Sequence, residues 1–314
     1  MKSWACGAKD AQQQRLNNTY LLFREFPMKI CRFNHDRVGI VVDDDVYDIT
    51  ERFNLSTQWP VPLGDMVVSQ LNTLLPSLSA ELRAGMFAKT ALKQVTLESP
   101  VANPSKIIGA PINYHAHIQE ANADQAINHG KTYTSLEQYG LFLKSNSCLI
   151  GPSDQVTLRF PERRNDHEVE LAVVIGRRGS HISEDEALEY VLGYSIGLDM
   201  TVRGPEFPGF RKSPDTYGVL GPWIVTRDEI DAPNALDLSL HVNGEKKQDS
   251  NTAKLIFNVQ QLIAYASKFY TLYPGDVIMT GTPEGVSTVK AGDVMSAHIE
   301  RIGDITIPIG IEKN

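Results

Sequence analysis

The sequence feature that most constrains the fold is a continuous apolar run preceded by two acids one residue apart. Residues 171–175 are Leu-Ala-Val-Val-Ile, and they follow Glu168 and Glu170. Apolar residues on both faces predict a strand buried within a sheet. Residues i and i+2 of a strand share a face, so the two carboxylates should emerge side by side. Because burial and mutual repulsion make such a pair costly, the pattern favours a compensating cation.

A third acid ends another apolar strand. Residues 193–198 lead directly into Asp199. Each acid alone has an ordinary alternative, since E-x-E pairs occur on solvated strand edges and Asp199 could be a turn or helix N-cap residue. Together, three oxygen ligands without cysteine predict a site for Mg²⁺ or Mn²⁺, with Ca²⁺ as a further candidate, rather than for zinc.

Charge, hydropathy and cysteine content exclude several classes of protein. The 314 residues include 30 Lys and Arg against 38 Asp and Glu, a formal net charge of −8. A nucleic-acid-binding surface needs a basic face, and a membrane span needs about 18 consecutive apolar residues. We therefore predict neither kind of partner. Cys6, Cys31 and Cys148 are too few and too scattered for a disulfide framework, which predicts reduced thiols and a cytoplasmic location.

The chain divides into three predicted regions. Residues 1–27 are predicted to be an N-terminal extension, 28–100 a small α+β domain, and 101–314 the main domain. Within the small domain, the apolar spacing predicts helices at 63–75 and 79–88. The main domain is rich in short strands, with a helix predicted at 257–270. Since no β-α-β rhythm is present, we predict a β-rich α+β fold with an antiparallel or mixed β-roll, not a doubly wound sheet.

Five motifs in order along residues 106–309 resemble the fumarylacetoacetate hydrolase superfamily. They are N-Y-x-x-H-x-x-E at 113–120, E-V-E with its apolar run at 168–176, G-Y through D-M-T-V-R at 193–203, K-S-P-D-T-Y with G-P-W at 212–223, and P-G-D-V-I with T-G-T-P-E-G-V at 274–286. The resemblance implies a mixed β-sandwich roll with a small N-terminal domain, and a homodimer.

The same resemblance implies roles for ten residues. Three of them, Glu168, Glu170 and Asp199, would be the metal ligands. His117 and Glu120 would form a catalytic dyad, Lys212 would stabilise an enolate oxyanion, and Arg203, Thr282, Tyr114 and Glu206 would contact the substrate. The i, i+3 spacing of the dyad suits one turn of helix, where a carboxylate can hold the imidazole in the tautomer that deprotonates water.

Two stretches depart from the family pattern. Glu206 stands where many relatives carry a neutral amide, so its recognition of a substrate carboxylate is open. Residues 121–140 are longer than in compact members and are interpreted either as a lid or as a solvated loop.

The predicted function is divalent-metal-dependent hydrolysis of a C–C bond in a small 1,3-dicarbonyl, acylpyruvate-like acid. Such chemistry belongs to the catabolism of aromatic or other carbon compounds. The alternative is an isomerase of the 2-hydroxy-diene-dioate type, or a decarboxylase of a related oxo acid, through the same enolate chemistry. A non-catalytic ligand-binding relative is a third hypothesis, but it would be expected to lack ligands or dyad that this chain retains.

Overall fold

The computed structural model describes residues 27–56 and 59–312. The predicted extension, including Cys6, therefore lies outside the described residues except for Pro27. Cys31 and Cys148 are free and buried. Within the described residues, no helix is long and apolar enough to cross a membrane.

The first part of the chain forms an antiparallel sheet and one long helix. Its elements are β1 (Lys29–Phe33), β2 (Arg37–Val42), β3 (Asp45–Asp48), α1 (Met66–Arg83), β4 (Lys89–Ala91) and β5 (Leu97–Glu98). These strands do not make a separate sheet, because β1 pairs with β14 of the main sheet through Lys29↔Val225 and Ile30↔Ile224.

Helix α1 corrects the prediction of two helices at 63–75 and 79–88. One helix, Met66–Arg83, covers most of the first range and ends within the second, with Pro76 inside it and Asp65 accepting hydrogen bonds from the amides of Val67 and Val68 at its start. The exposed Pro76 lies on the solvent side, while the buried stripe through Leu71, Leu75, Leu78 and Leu82 continues past it. The packing of this unbroken stripe outweighs the cost of a proline in the helix.

The main part of the chain adds fourteen strands and five helices. The strands are β6 (Ile107–Gly109), β7 (Phe142–Lys144), β8 (Leu149–Ile150), β9 (Val156–Leu158), β10 (Asn165–Asp166), β11 (Val169–Ile175), β12 (Val191–Asp199), β13 (Thr201–Val202), β14 (Gly218–Thr226), β15 (Asp237–Val242), β16 (Glu245–Asn251), β17 (Val277–Met279), β18 (Val294–Ile299) and β19 (Gly303–Ile311). The helices are α2 (His115–Ala123), α3 (Gln125–Asn128), α4 (Leu136–Tyr139), α5 (Pro208–Arg211) and α6 (Val259–Phe269).

Two sheets stack around a common core, which confirms the predicted β-rich sandwich roll. The larger sheet has the order β4-β3-β2-β1-β14-β12-β11-β17-β6-β7, and the smaller one β16-β15-β18-β19-β9. Leu171 and Val173 of β11 face the smaller sheet and α6, whereas Ala172 and Val174 belong to the core that α1 covers. Because both faces of β11 are covered, its run is apolar throughout.

The helix predicted at 257–270 is confirmed as α6. Asn258 and Gln261 form a capping box at its start, each side chain accepting a hydrogen bond from the backbone amide of the other. The buried face of α6 then packs into the core between the two sheets.

Candidate metal centre and active site

Adjacent ends of β11 and β12 bring the three predicted metal ligands together. The backbone N–H of Asp199 donates to the carbonyl of Glu168 over 2.9 Å, so the two acids lie side by side across the strand pair. Glu170, two residues further along β11, points to the same face as Glu168. Carboxylate oxygens of the three acids lie within 4.8 Å of one another, and all three side chains are buried. The i, i+2 spacing of Glu168 and Glu170 thus places both carboxylates on one face of the strand, as expected from the sequence.

Two lysines and one arginine neutralise Glu168 and Asp199. The Nζ of Lys212 donates to Glu168 over 2.6 Å and to Asp199 over 2.7 Å, and the Arg203 guanidinium donates to Glu168 over 3.0 Å. The buried Nζ of Lys144 donates to the other oxygen of Asp199 over 2.5 Å. Burial alone would raise the pKa of Glu168, but the charges of Lys212 and Arg203 hold it below its ordinary value.

Glu170 is left with a different environment. Its carboxylate accepts a hydrogen bond from the amide of Gly281 over 2.6 Å. Burial raises its pKa well above the ordinary value, and the negative charges of Asp199 and Glu168 raise it further against the opposing effect of Lys212. A buried acid under like-charge repulsion, in an all-oxygen donor set, fits a hard divalent cation.

The predicted dyad lies on α2. His117 Nδ1 is 2.8 Å from Glu120 Oε2, and the other oxygen of Glu120 accepts from the amide of Gly285 over 2.9 Å. The imidazole is 5% exposed and faces the cavity, whereas the Glu120 side chain is partly exposed behind it. One helical turn therefore aligns the imidazole and the carboxylate, as the i, i+3 spacing predicted.

These groups share one cavity of about 560 Å³. Its walls combine charged residues at the strand ends with apolar residues from α2 to α5. Among the predicted site residues, the lining includes His117, Glu168, Glu170, Asp199, Arg203, Lys212 and Thr282. The segment 121–140 also contributes to the wall through Ala121, Ile127, Tyr133 and Tyr139.

Three predicted substrate-contact residues either lie off the cavity wall or are already hydrogen-bonded within the protein. Thr282 lines the cavity, but its hydroxyl donates to the carbonyl of Val169 over 2.9 Å. Tyr114 is buried off the cavity wall, and its hydroxyl has no hydrogen-bond partner among the described residues. Burial, with the charges of Glu170 and Glu284, raises the pKa of that phenol.

Glu206 lies off the cavity wall too. Arg163 binds its carboxylate with two nitrogens, at 3.1 and 2.8 Å. Arg163 also donates to the backbone carbonyl of Arg203 over 2.7 Å. Glu206 therefore fixes the Arg163 side chain that contacts Arg203.

Three charged residues of the site did not emerge from the sequence reasoning. Lys144 follows a pair of apolar residues on β7, and nothing in its local sequence marks it as buried. Asp166 receives hydrogen bonds from Arg164 over 2.8 Å and from Arg203 over 2.7 Å, a network that the pair Arg164-x-Asp166 could have suggested. Arg211 precedes Lys212 and also lines the cavity.

Comparison with known proteins gives consistent results. The family model described as fumarylacetoacetate (FAA) hydrolase C-terminal matches residues 106–309. Maleylpyruvate hydrolase of Aquipseudomonas alcaligenes is 53% identical over 286 residues, which is 90% of this chain and 99% of that protein. Oxaloacetate tautomerase fahd2, mitochondrial, of Xenopus laevis is 35% identical over 272 residues, covering 77% of this chain and 82% of that protein.

A solved structure extends the likeness to three dimensions. The crystal structure of maleylpyruvate hydrolase from Sphingobium sp. SYK-6, in complex with manganese(II) and pyruvate, superimposes with a TM-score of 0.77. The two sequences are 37% identical, and the match covers 91% of this chain and all of that chain.

Proposed function

The chain belongs to the fumarylacetoacetate hydrolase family, and from this premise we propose that its substrate is maleylpyruvate or a closely similar acylpyruvate. It is a metal-dependent hydrolase of C–C bonds in ketonic acids. The observation that carries the proposal is that His117, paired with Glu120, lines the cavity that also contains Glu168, Glu170 and Asp199. A hydrolase needs a base for water at this place, whereas a tautomerase does not.

Glu168, Glu170 and Asp199 would hold the cation, for which we propose Mg²⁺ or Mn²⁺. When bound, a divalent cation supplies a Lewis acid that polarises carbonyl oxygen and neutralises developing negative charge.

The dyad would activate water. With its Nδ1 proton directed at Glu120, His117 presents the unprotonated Nε2 to the cavity and accepts a proton from water. The resulting hydroxide adds to the acyl carbonyl carbon of the substrate. The bond from that carbon to the neighbouring CH₂ then breaks, which releases a carboxylic acid and the enolate of pyruvate.

Lys212 and His117 complete the reaction. The Lys212 ammonium lies within the carboxylate cluster and offers positive charge where enolate oxygen develops. The imidazolium of His117 returns its proton to the enolate carbon, which yields pyruvate and regenerates the neutral base. Asp166 holds the Arg203 guanidinium in place, and Arg203 in turn fixes the Glu168 carboxylate that it binds.

The experiment supplies maleylpyruvate to the purified protein with Mg²⁺, with Mn²⁺ and with a chelator, and identifies the products by NMR. We expect maleate and pyruvate only with a cation. His117→Ala should lower kcat by about 10²- to 10⁴-fold, the range for loss of a general base. As a matched control, the exposed His298 is replaced in His298→Ala, which should keep wild-type kcat. Unchanged cleavage by His117→Ala, or none by the wild type with metal, refutes the proposal.

Isomerisation or decarboxylation of a related oxo acid is the second candidate. Its support is the 35% identity with an oxaloacetate tautomerase and the metal-binding acids, which enolate chemistry needs in either case. Incubation with oxaloacetate distinguishes it, because the product is then a tautomer, or pyruvate with CO₂, instead of the carboxylic acid and pyruvate that hydrolysis of an acylpyruvate releases.

Two further proposals concern the protein in the cell. We propose a homodimer in the cytoplasm, supported by the family resemblance and by the buried, reduced state of Cys31 and Cys148. Light scattering on the purified protein tests the dimer, with a monomer mass as the contrary result.

A further inference from the structure

One cation of the cavity, Arg211, forms no ion pair with an acid among the described residues. Arg211 is the last residue of α5 and is 7% exposed. Its Nε donates to the backbone carbonyl of Glu206 over 2.8 Å. Its Nη1 is buried and has no hydrogen-bond partner among the described residues. A buried guanidinium with an unused donor, on the wall of a ligand cavity, is costly unless a ligand completes it.

The other buried cations around the cavity each have a carboxylate. Lys212, Lys144 and Arg203 bind Glu168, Asp199 or Asp166 at 2.5–3.0 Å. The nearest acids in the sequence to Arg211 are Asp215 and Glu206, and they pair with Arg159 and Arg163 instead. Burial lowers the pKa of Arg211, and the charge of Arg203 lowers it further. The protein therefore bears the cost of an extra buried positive charge, which points to an anion brought by the substrate.

The surroundings of Arg211 place this anion near the segment 121–140. Lys131 of that segment lies 5.9 Å from the ring centre of Phe207, the residue that precedes α5. The positive charge of Arg211 also contributes, after burial, to the lowered pKa of His129 in the same segment. The carboxylates and Lys212 occupy the part of the cavity at the ends of β11 and β12. The dicarbonyl end of the substrate would bind beside these carboxylates and Lys212. Arg211 could then contact the opposite end of the substrate.

We propose that Arg211 binds the second carboxylate of a dicarboxylic acylpyruvate, at the end of the substrate distant from the dicarbonyl group. A guanidinium can offer two parallel N–H groups to one carboxylate, which suits a fixed site better than a lysine would. The inference rests on the proposed function and adds to it a selection for diacids over monoacids.

The test compares two substrates in Arg211→Gln. Maleylpyruvate carries the second carboxylate, and acetylpyruvate has a methyl group in place of the whole arm that bears it. Loss of a buried charge-assisted pair should lower kcat/KM for maleylpyruvate by about 10- to 100-fold, mainly through KM. Activity on acetylpyruvate should change by less than about threefold, since that substrate never used the pair. Arg211→Lys should restore part of the loss. The control Arg177→Gln removes an exposed arginine beyond the far end of β11 and should alter neither substrate.

Thermal unfolding supplies a second readout. Removing an unpaired buried charge should leave the unfolding midpoint of Arg211→Gln unchanged or raise it. With Mn²⁺ present, excess maleate should raise the midpoint of the wild type by about 2 °C or more, and this shift should vanish in the variant. Acetate, which carries a single carboxylate on a methyl group, is the control ligand.

Equal losses on both substrates overturn the proposal, as does a midpoint of Arg211→Gln well below that of the wild type. Full activity of the variant on maleylpyruvate overturns it too. If the wild type cleaves neither acylpyruvate, the proposed function fails, and the maleate shift then decides this inference alone. A shift in the wild type that Arg211→Gln lacks supports Arg211 as a carboxylate site, and a shift retained in the variant, or absent from the wild type, refutes it.

Discussion

Replacing Lys144 with methionine should strongly destabilise the protein. The Lys144 side chain is fully buried, and its Nζ donates to Asp199 over 2.5 Å, to the carbonyl of Tyr217 over 3.1 Å and to the carbonyl of Lys212. Methionine has a similar length and fills the same space. Lys144→Met therefore removes the charge and the donors without opening a large cavity.

The magnitude follows from what remains unpaired. Asp199 keeps Lys212 on its other oxygen but loses the partner of Oδ1, and two buried carbonyls lose a donor. Breaking a buried ion pair by removing one partner costs about 3–5 kcal/mol. With a total stability of about 5–15 kcal/mol expected for a globular protein, the variant should still fold.

Urea unfolding in the presence of a chelator measures the difference. The control, Lys246→Met, removes a lysine from the exposed Lys246–Asp249 pair and should cost less than about 1 kcal/mol. A double-mutant cycle with Asp199→Asn should then show that Lys144→Met costs at least about 1 kcal/mol less once the carboxylate is gone. If Lys144→Met costs no more than the surface control, the buried pair does not stabilise the fold as reasoned here.

Three further predictions concern the dyad, the first sheet and the strand packing. Glu120→Gln should lower kcat for acylpyruvate cleavage by about 10- to 100-fold in steady-state assays, because a neutral amide holds the catalytic imidazole less firmly; an unchanged kcat contradicts this. Burial raises the pKa of Asp48, but hydrogen bonds from Thr50 and the ion pair of Asp48 with Arg37 lower the pKa below its ordinary value overall. Asp48→Asn should therefore cost about 1 kcal/mol at pH 7, and the cost should disappear in urea titrations as the pH falls below the ordinary aspartate range. Gly193→Ala should cost about 1–3 kcal/mol in the same assay, because its Cβ would overlap the carbonyl oxygen of Val225. Gly197→Ala on the same strand is the control, because its Cβ would lie 3.4 Å from the nearest atom. If Gly193→Ala costs no more stability than Gly197→Ala, the prediction for Gly193 is contradicted.

The acidic triad could be predicted from sequence because its determinants are local. Glu168 and Glu170 are two residues apart on a strand whose apolar run fixes burial, and Asp199 ends a similar strand. Strand periodicity then decides which side the carboxylates face. The positions of His117 and Glu120 on one helical turn follow from the same kind of local rule.

The partners of these acids depend on contacts between distant parts of the chain. Lys144 reaches Asp199 across 55 residues, and Arg163 reaches Glu206 across 43. Such pairings depend on how strands are ordered in the sheet, and single-residue patterns carry no record of that order. Helix α1 shows the same limit, since the packing of its buried stripe decided that Pro76 lies within one helix instead of between two.

The pairing of β1 with β14 makes strands β1 to β5 part of the same sheet as β11 and β12, which carry the acidic triad. A fragment starting at residue 101 would lose the partner of β14 along this pairing and the α1 residues that cover Ala172, Val174 and Leu220. Unpaired backbone groups on a strand, beside uncovered apolar side chains, invite association with other chains. The span 106–309 that matches the family model therefore covers only part of this sheet, which among the described residues begins at β1.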